Sequence, residues 1–340
     1  SAGWERVDRD TGSAISDPYV TAPFTNTERY DMPWVAGEWR SGAWSWMAEA
    51  YWPRFNAQKG DRYADSLTGQ DLDPPNEEGA EHSRKLLPRV GASLRFGPGR
   101  ALHWAYQESL RAPGTHTLAP VATGAIAVDN QYQMAGSYAR KHALQLDWEV
   151  GPATFFGASL SGQSISNLVA TNGRLFAQDM GALFDNVTTI APVVLNAQTT
   201  LNTYDATPIF GQGDLAQASV SANHLLGPRW SVLGSYLRTD SRNTGAGYAG
   251  NLLPGFARDV ALIQTTWRHE ARSFSLLRMT WRDRLYSDEA NWVERPAGWS
   301  LAMAHSWESS DRRWSFTGTV QRDLRNDERP TLWALLRYRI

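Results

Sequence analysis

The sequence predicts an all-β chain, specifically a transmembrane antiparallel β-barrel of about 14 strands, with about 16 as the alternative. Three observations carry that reading. From about residue 34 onward the apolar residues recur with a period of two, the signature of half-buried strands. Short turns and long polar connections alternate along the chain, as they do between the two rims of an outer-membrane barrel. The chain also carries 16 Trp and 12 Tyr, whose apolar bodies and polar tips favour a membrane interface.

Composition sets the outer bounds. At 340 residues the chain could form two ordinary domains or one large barrel. It has no cysteine, which removes disulfides and thiolate metal sites. A net charge of −2 supplies no basic field for nucleic acid. The mean hydropathy of −0.46 and the lack of any run of about 18 apolar residues exclude a membrane helix, yet leave a barrel open, because each barrel strand is apolar on one face only. The absence of a signal segment at Ser1 leads us to expect a processed terminus or a piece of a longer chain.

Residues 1–33 lack a clear period and are expected to be a lead-in, a lumen segment or one more strand, with the barrel occupying 34–340. "GAWSWMAEAYW" then places Trp44, Trp46, Ala48, Ala50 and Trp52 on one face. "PRVGASLRF" aligns Val90, Ala92, Leu94 and Phe96, and "HALQLDWEV" sets His142, Leu144, Leu146, Trp148 and Val150 against an acidic face holding Asp147 and Glu149. "RWSVLGSYL" aligns Trp230, Val232, Gly234 and Tyr236; "SLLRMTWRDRL" aligns Leu277, Met279, Trp281 and Leu285 against Arg278, Thr280, Arg282 and Arg284. In "AGWSLAMAHSW", Trp299 and Trp307 are eight residues apart, roughly 26 Å at about 3.3 Å per residue, which matches the height of a barrel's apolar band. "RWSFTGTVQRD" begins its apolar face at Trp314, and "TLWALLRYRI" lines up Leu332, Ala334, Leu336, Tyr338 and Ile340 against Trp333, Leu335, Arg337 and Arg339. Tight links at "FGPG", "VGPA", "LGPR" and "SSDRR" join neighbouring strands, three of them through Gly-Pro.

Two residue groups are candidate sites. Trp148, Trp281, Trp299, Trp307, Trp314 and Tyr338 are expected at the membrane interfaces. Arg278, Arg282, Arg284, Arg337 and Arg339, facing Asp147 and Glu149, are candidate lumen-lining charges of a polar passage, or else solvated rim residues paired with their neighbours. No catalytic role is assigned: the seven histidines stand in unrelated contexts, and no metal-ligand spacing, phosphate-cradling glycine loop or nucleophile elbow occurs. No cofactor is expected.

"LHWAYQESLRAPGTHTLAPVATG", "LPGFARDVALIQTTW", "YSDEANWVERPAGWSLAMAHSWESSDRRWSF" and "LWALLRYRI" resemble the C-terminal half of TonB-dependent-receptor-like barrels, most of all those fused behind tetratricopeptide repeats. The family's usual terminal Phe is Ile340 here. No plug, TonB box or repeat of roughly 34 residues is found, and the chain is short for the roughly 22-stranded barrel of a full transporter. The resemblance implies the barrel portion of a larger protein of the bacterial outer membrane, with lipid around it and a periplasmic or surface protein as a possible partner. The leading functional expectation is a translocation pore for polysaccharide or small polar solutes, in the manner of exopolysaccharide exporters. A docking barrel with a plugged lumen and a TonB-dependent uptake barrel are the alternatives.

Overall fold

The computed structural model describes residues 2–16, 20–59, 64–65, 80–110, 122–123, 125–127, 137–166, 210–324 and 330–339. Ile340 and most of the long connections beginning at residues 60, 111 and 167 lie outside them. Among the described residues the regular elements are all strands. They are β1 (Ala2–Ser16), β2 (Val20–Ser41), β3 (Trp44–Tyr51), β4 (Arg54–Lys59), β5 (Ala64–Asp65), β6 (Ala80–Arg84), β7 (Leu87–Arg95), β8 (Arg100–Leu110), β9 (Ala122–Thr123), β10 (Ile126–Ala127) and β11 (Tyr138–Val150). The rest are β12 (Thr154–Ser166), β13 (Gln212–Leu225), β14 (Trp230–Asn243), β15 (Asp259–Glu270), β16 (Ser273–Arg282), β17 (Leu285–Tyr286), β18 (Glu294–Arg295), β19 (Gly298–Glu308), β20 (Trp314–Asp323) and β21 (Thr331–Tyr338).

Seventeen of these segments form one sheet. β1 pairs with β2, and β2 carries β3, β4 and β5 end to end. β6 and β7 continue the pattern against β4 and β3. From β11 onward the order is an antiparallel meander in which each long strand bonds the next, ending with β20 against β21. Taken as spans, the described segments make 14 antiparallel strands. The pairs β9–β10 and β17–β18 are small separate hairpins.

The packing divides into two compact units, one of Ser1–Ser93, Trp104–His142 and Ser164–Arg174, the other of Leu94–His103, Ala143–Gln163 and Leu175–Ile340. In the first, the expected boundary near residue 33 falls inside β2. The period was illegible there because charge, not apolar alternation, marks the register: Arg6 and Asp8 on β1 meet Asp31 and Arg29 on β2, with Arg6 Nε 2.9 Å from Asp8 and 3.8 Å from Asp31. The buried face of this unit is a cluster of Tyr30, Met32, Tyr51, Leu87 and Leu110, with Trp34 stacked 6.5 Å from Tyr51.

In the second unit the alternation is plain. Val220, Ile263, Met303, Leu332 and Leu336 are all more than half exposed on one face, an arrangement that water penalises and hydrocarbon does not. Ser219, Gln264, Arg278, Thr280 and Thr317 occupy the other face. Ring pairs mark both ends of the apolar face. Trp281 is registered with Trp299 toward the long connections. Toward the short turns, Trp148 packs on Phe156 at 6.1 Å, Trp230 on Trp267 at 5.2 Å and Trp314 on Tyr338 at 4.7 Å. The rings of Trp230 and Trp267 lie 2° from parallel, so Trp267→Ala is expected to cost about 0.5–1.5 kcal/mol beyond the lost area; thermal unfolding in detergent measures it, and an unchanged midpoint would contradict the pairing. The tight turns depend on glycine where backbones meet: at Gly99, with φ +66°, a Cβ would lie 2.7 Å from that of Glu149.

One expected face needs correction. Leu285 does not continue the apolar face of β16 but lies 1% exposed in β17, clustered with Leu237, Ala257 and Val260. β16 ends at Arg282, the chain bends at Asp283, whose N–H bonds the Asp259 carbonyl at 2.9 Å, and it folds back over the polar side of the sheet.

Candidate functional site

The polar side of the second unit holds the residues singled out by sequence, but not as one patch. Arg278 is 6% exposed and donates from Nε and Nη2 to Gln264 Oε1 at 3.0 and 2.5 Å, one strand away. Arg282, 7% exposed, sits on the same side of β16, four residues along. Asp147 lies on β11, with β12, β13, β14 and β15 between it and β16; it accepts from Gln145 Nε2 at 2.9 Å and stands 3.3 Å from His103 Nε2. Glu149 is exposed at the short-turn end of β11, where its N–H bonds the Gly99 carbonyl. Arg284 lies beyond the end of β16 and pairs with Glu294 at 3.4 Å. Arg337 and Arg339 are exposed at the short-turn end of β21, opposite Ser315 and Arg313.

Sequence reasoning missed a second set in the first unit. Glu49 is buried on β3 between apolar neighbours, accepts a 2.6 Å hydrogen bond from Tyr51 OH, and lies 4.0 Å from Arg89 Nη1 on β7. The Arg89 guanidinium stacks 4.0 Å above the Tyr51 ring, and Glu49 Oε1 has no hydrogen-bond partner. A single carboxylate in "SWMAEAYW", on the face away from the tryptophans, was the available signal; its partner 40 residues on was not. A comparable cluster gathers around Glu108, which accepts from Tyr106 OH and from Tyr138 OH at 2.6 Å and pairs with Lys85 at 3.5 Å, while Lys85 Nζ sits 3.6 Å over the Tyr138 ring.

At the long-connection end of the second unit, segments 244–258 and 283–297 interlock. Glu289 Oε1 accepts from Asn243 Nδ2 at 2.9 Å and from the Gly211 N–H at 3.2 Å, and its carbonyl accepts from Asn251 Nδ2 at 2.9 Å. Asn291 bonds both the N–H and the carbonyl of Leu252. Asp288 Oδ1 caps the N–H groups of Trp292 and Val293 at 3.1 and 2.8 Å. Beneath this network Phe210 and Leu253 are fully buried, and Leu253 packs against Gly213, where a Cβ would lie 2.6 Å from its methyl carbons. Above it Trp292 is 87% exposed. Loops tied at this many points form a preorganised crown, since the ordering entropy is met in folding and not at binding. Among the described residues no three His, Asp or Glu side chains are grouped to hold a metal ion.

Comparison with known proteins bears on the fold. The ferric yersiniabactin uptake receptor FyuA from Yersinia pestis matches with a TM-score of 0.60 at 12% identity, over 98% of this chain and 48% of that one. The alcaligin outer membrane receptor FauA from Bordetella pertussis matches at 0.53 and 11%, over 99% and 49%. The copper transporter OprC matches at 0.52 and 9%, over 98% and 61%. This chain thus spans about half the length of the receptors FyuA and FauA. No protein-family profile and no curated protein matches its sequence. The chain has the fold of an antiparallel outer-membrane β-barrel, similar to the barrels of TonB-dependent receptors.

Proposed function

We propose that this chain is the membrane-spanning part of an outer-membrane uptake protein resembling TonB-dependent receptors, so that the uptake alternative displaces the polysaccharide pore. The observation that carries this reading is the crown. A passive pore needs an open mouth, whereas segments 244–258 and 283–297 are bonded to each other and to the end of β14 through Asn243, Glu289 and Asn291, the behaviour of a receptor that presents a formed surface to its ligand. The matched structures add support, being named as uptake receptors and a copper transporter; the exporter architecture gains none from them. A small metal complex is the substrate class this favours, and an energising periplasmic protein is the partner. Arg278 and Arg282 are the inner-wall charges that would meet an anionic complex on its way through.

Accumulation of iron-chelate and copper substrates by cells producing the full-length protein tests the reading. Uptake is expected to stop when a protonophore collapses the proton gradient, and purified protein in planar bilayers is expected to give no steady conductance. Entry that ignores the protonophore, together with stable open channels, would restore the passive pore. A surface-docking role is the second reading, favoured by the exposed Trp292, Val293 and Leu252 at the crest of the crown; transport-negative cells in which the crest still captures a surface protein would support it.

A further inference from the structure

We propose that the apolar face of the second unit carries a specific site for an anionic phospholipid of the leaflet on the short-turn side. A groove of about 520 Å³ runs along this face, bordered by Trp267, Leu277, Met303, Val320 and Leu332. Its size falls in the roughly 300–1,000 Å³ range of small-molecule sites. It opens at Gly318, where the missing side chain leaves a trough beside Phe316; a Cβ there would lie 3.0 Å from that ring. An elongated apolar trough on a hydrocarbon-facing surface takes an acyl chain rather than a soluble compound, because everything lining it is already out of water.

The two ends of this face differ chemically. At the short-turn end Ser275 Oγ bridges two imidazoles, 2.8 Å from His269 Nε2 and 3.0 Å from His305 Nδ1. One nitrogen of each ring remains beyond this bridge, at the depth of the Trp230–Trp267 pair, where ester and phosphate groups of lipids lie. Arg268 and Arg272 border the same end, held to turn carbonyls, Pro228 for Arg268 and both Ser309 and Ser310 for Arg272. Segments 226–229, 268–272, 308–313 and 337–339 together carry seven arginines and three carboxylates. At the opposite end, segments 244–258 and 283–297 together carry four carboxylates and three arginines. A phosphate is therefore attracted at the short-turn end of this face, where the trough lies, and not at the crown end, which favours that leaflet and an anionic headgroup. The occupant is a phospholipid with its chain along Gly318 and its anionic head beside His305 and Arg272.

Native mass spectrometry of the full-length protein released from non-ionic detergent, with phosphatidylglycerol or phosphatidylcholine added, tests this. One retained phosphatidylglycerol is expected, favoured over phosphatidylcholine roughly fivefold to tenfold. Gly318→Leu should abolish the adduct for both lipids, and Ala334→Phe, which fills the trough from β21, does the same if Gly318→Leu fails to fold. His305→Ala combined with Arg272→Gln should equalise the two lipids while leaving a chain bound. Equal retention by the unaltered protein, no adduct at all, or an adduct that survives filling of the trough would each overturn the site. None of these outcomes depends on whether the protein transports, so they are separable from the uptake reading.

Discussion

Arg89→Met is expected to destabilise the folded protein by about 3–5 kcal/mol, the usual cost of stripping one partner from a buried ion pair. The guanidinium lies 4.0 Å from Glu49 and over the Tyr51 ring. Its removal leaves a carboxylate whose side chain has no solvent exposure and whose Oε1 already lacks a hydrogen-bond partner, with only Tyr51 to stabilise it. The Coulomb gain of the intact pair barely covers the desolvation of its members, so the pair itself adds little; what matters is that neither survives alone. The double variant Glu49→Met with Arg89→Met should regain most of the loss. Thermal unfolding by circular dichroism in detergent reads both, and a single variant within about 1 kcal/mol of the parent would show that solvent reaches Glu49 after all.

Glu289→Ala is expected to cost roughly 1–3 kcal/mol for each of the two donors it orphans, the Gly211 N–H and Asn243 Nδ2. Asn243 is fully buried, so water cannot take over from the lost carboxylate. Because the same residue locks 283–297 onto the end of β14 and, through its carbonyl, onto Asn251, the crown should loosen as a unit. Limited proteolysis is expected to cut within 244–258 in Glu289→Ala and to spare the parent, with uptake falling in parallel. Glu289→Gln keeps an acceptor oxygen and should retain most of the protection; identical cleavage of all three proteins would mean that these bonds do not hold the crown.

The strands from β11 to β21 were readable because each has one face against apolar surroundings and one against polar groups, so that the period of two is imposed residue by residue. Trp299 and Trp307, Leu332 and Leu336, and the Gly-Pro turns all stand where alternation and turn chemistry put them. The pairing of β1 with β2 was not readable near Tyr30, because its register there is written in cross-strand charges such as Arg6 with Asp31, which alternation cannot distinguish from a solvated loop. Leu285 misled for a related reason: its parity extends β16, but the backbone leaves the sheet at Arg282 and carries it to the opposite side.

The sequence by itself determined the strand period, the sorting of short turns from long connections and the presence of a lipid-facing side, since these follow from side-chain alternation and local turn preferences. Tertiary structure alone decided the partners. Glu49 and Arg89, Asn243 and Glu289, and the trough beside Gly318 bring together positions far apart in the chain, and those distances are set by how many strands intervene and how they are registered, which no local pattern encodes. It also set apart the arginines that sequence had named together, giving the buried Arg278 to Gln264 across the strand, since a charge withdrawn from water needs such a neighbour, and the exposed Arg284 to Glu294.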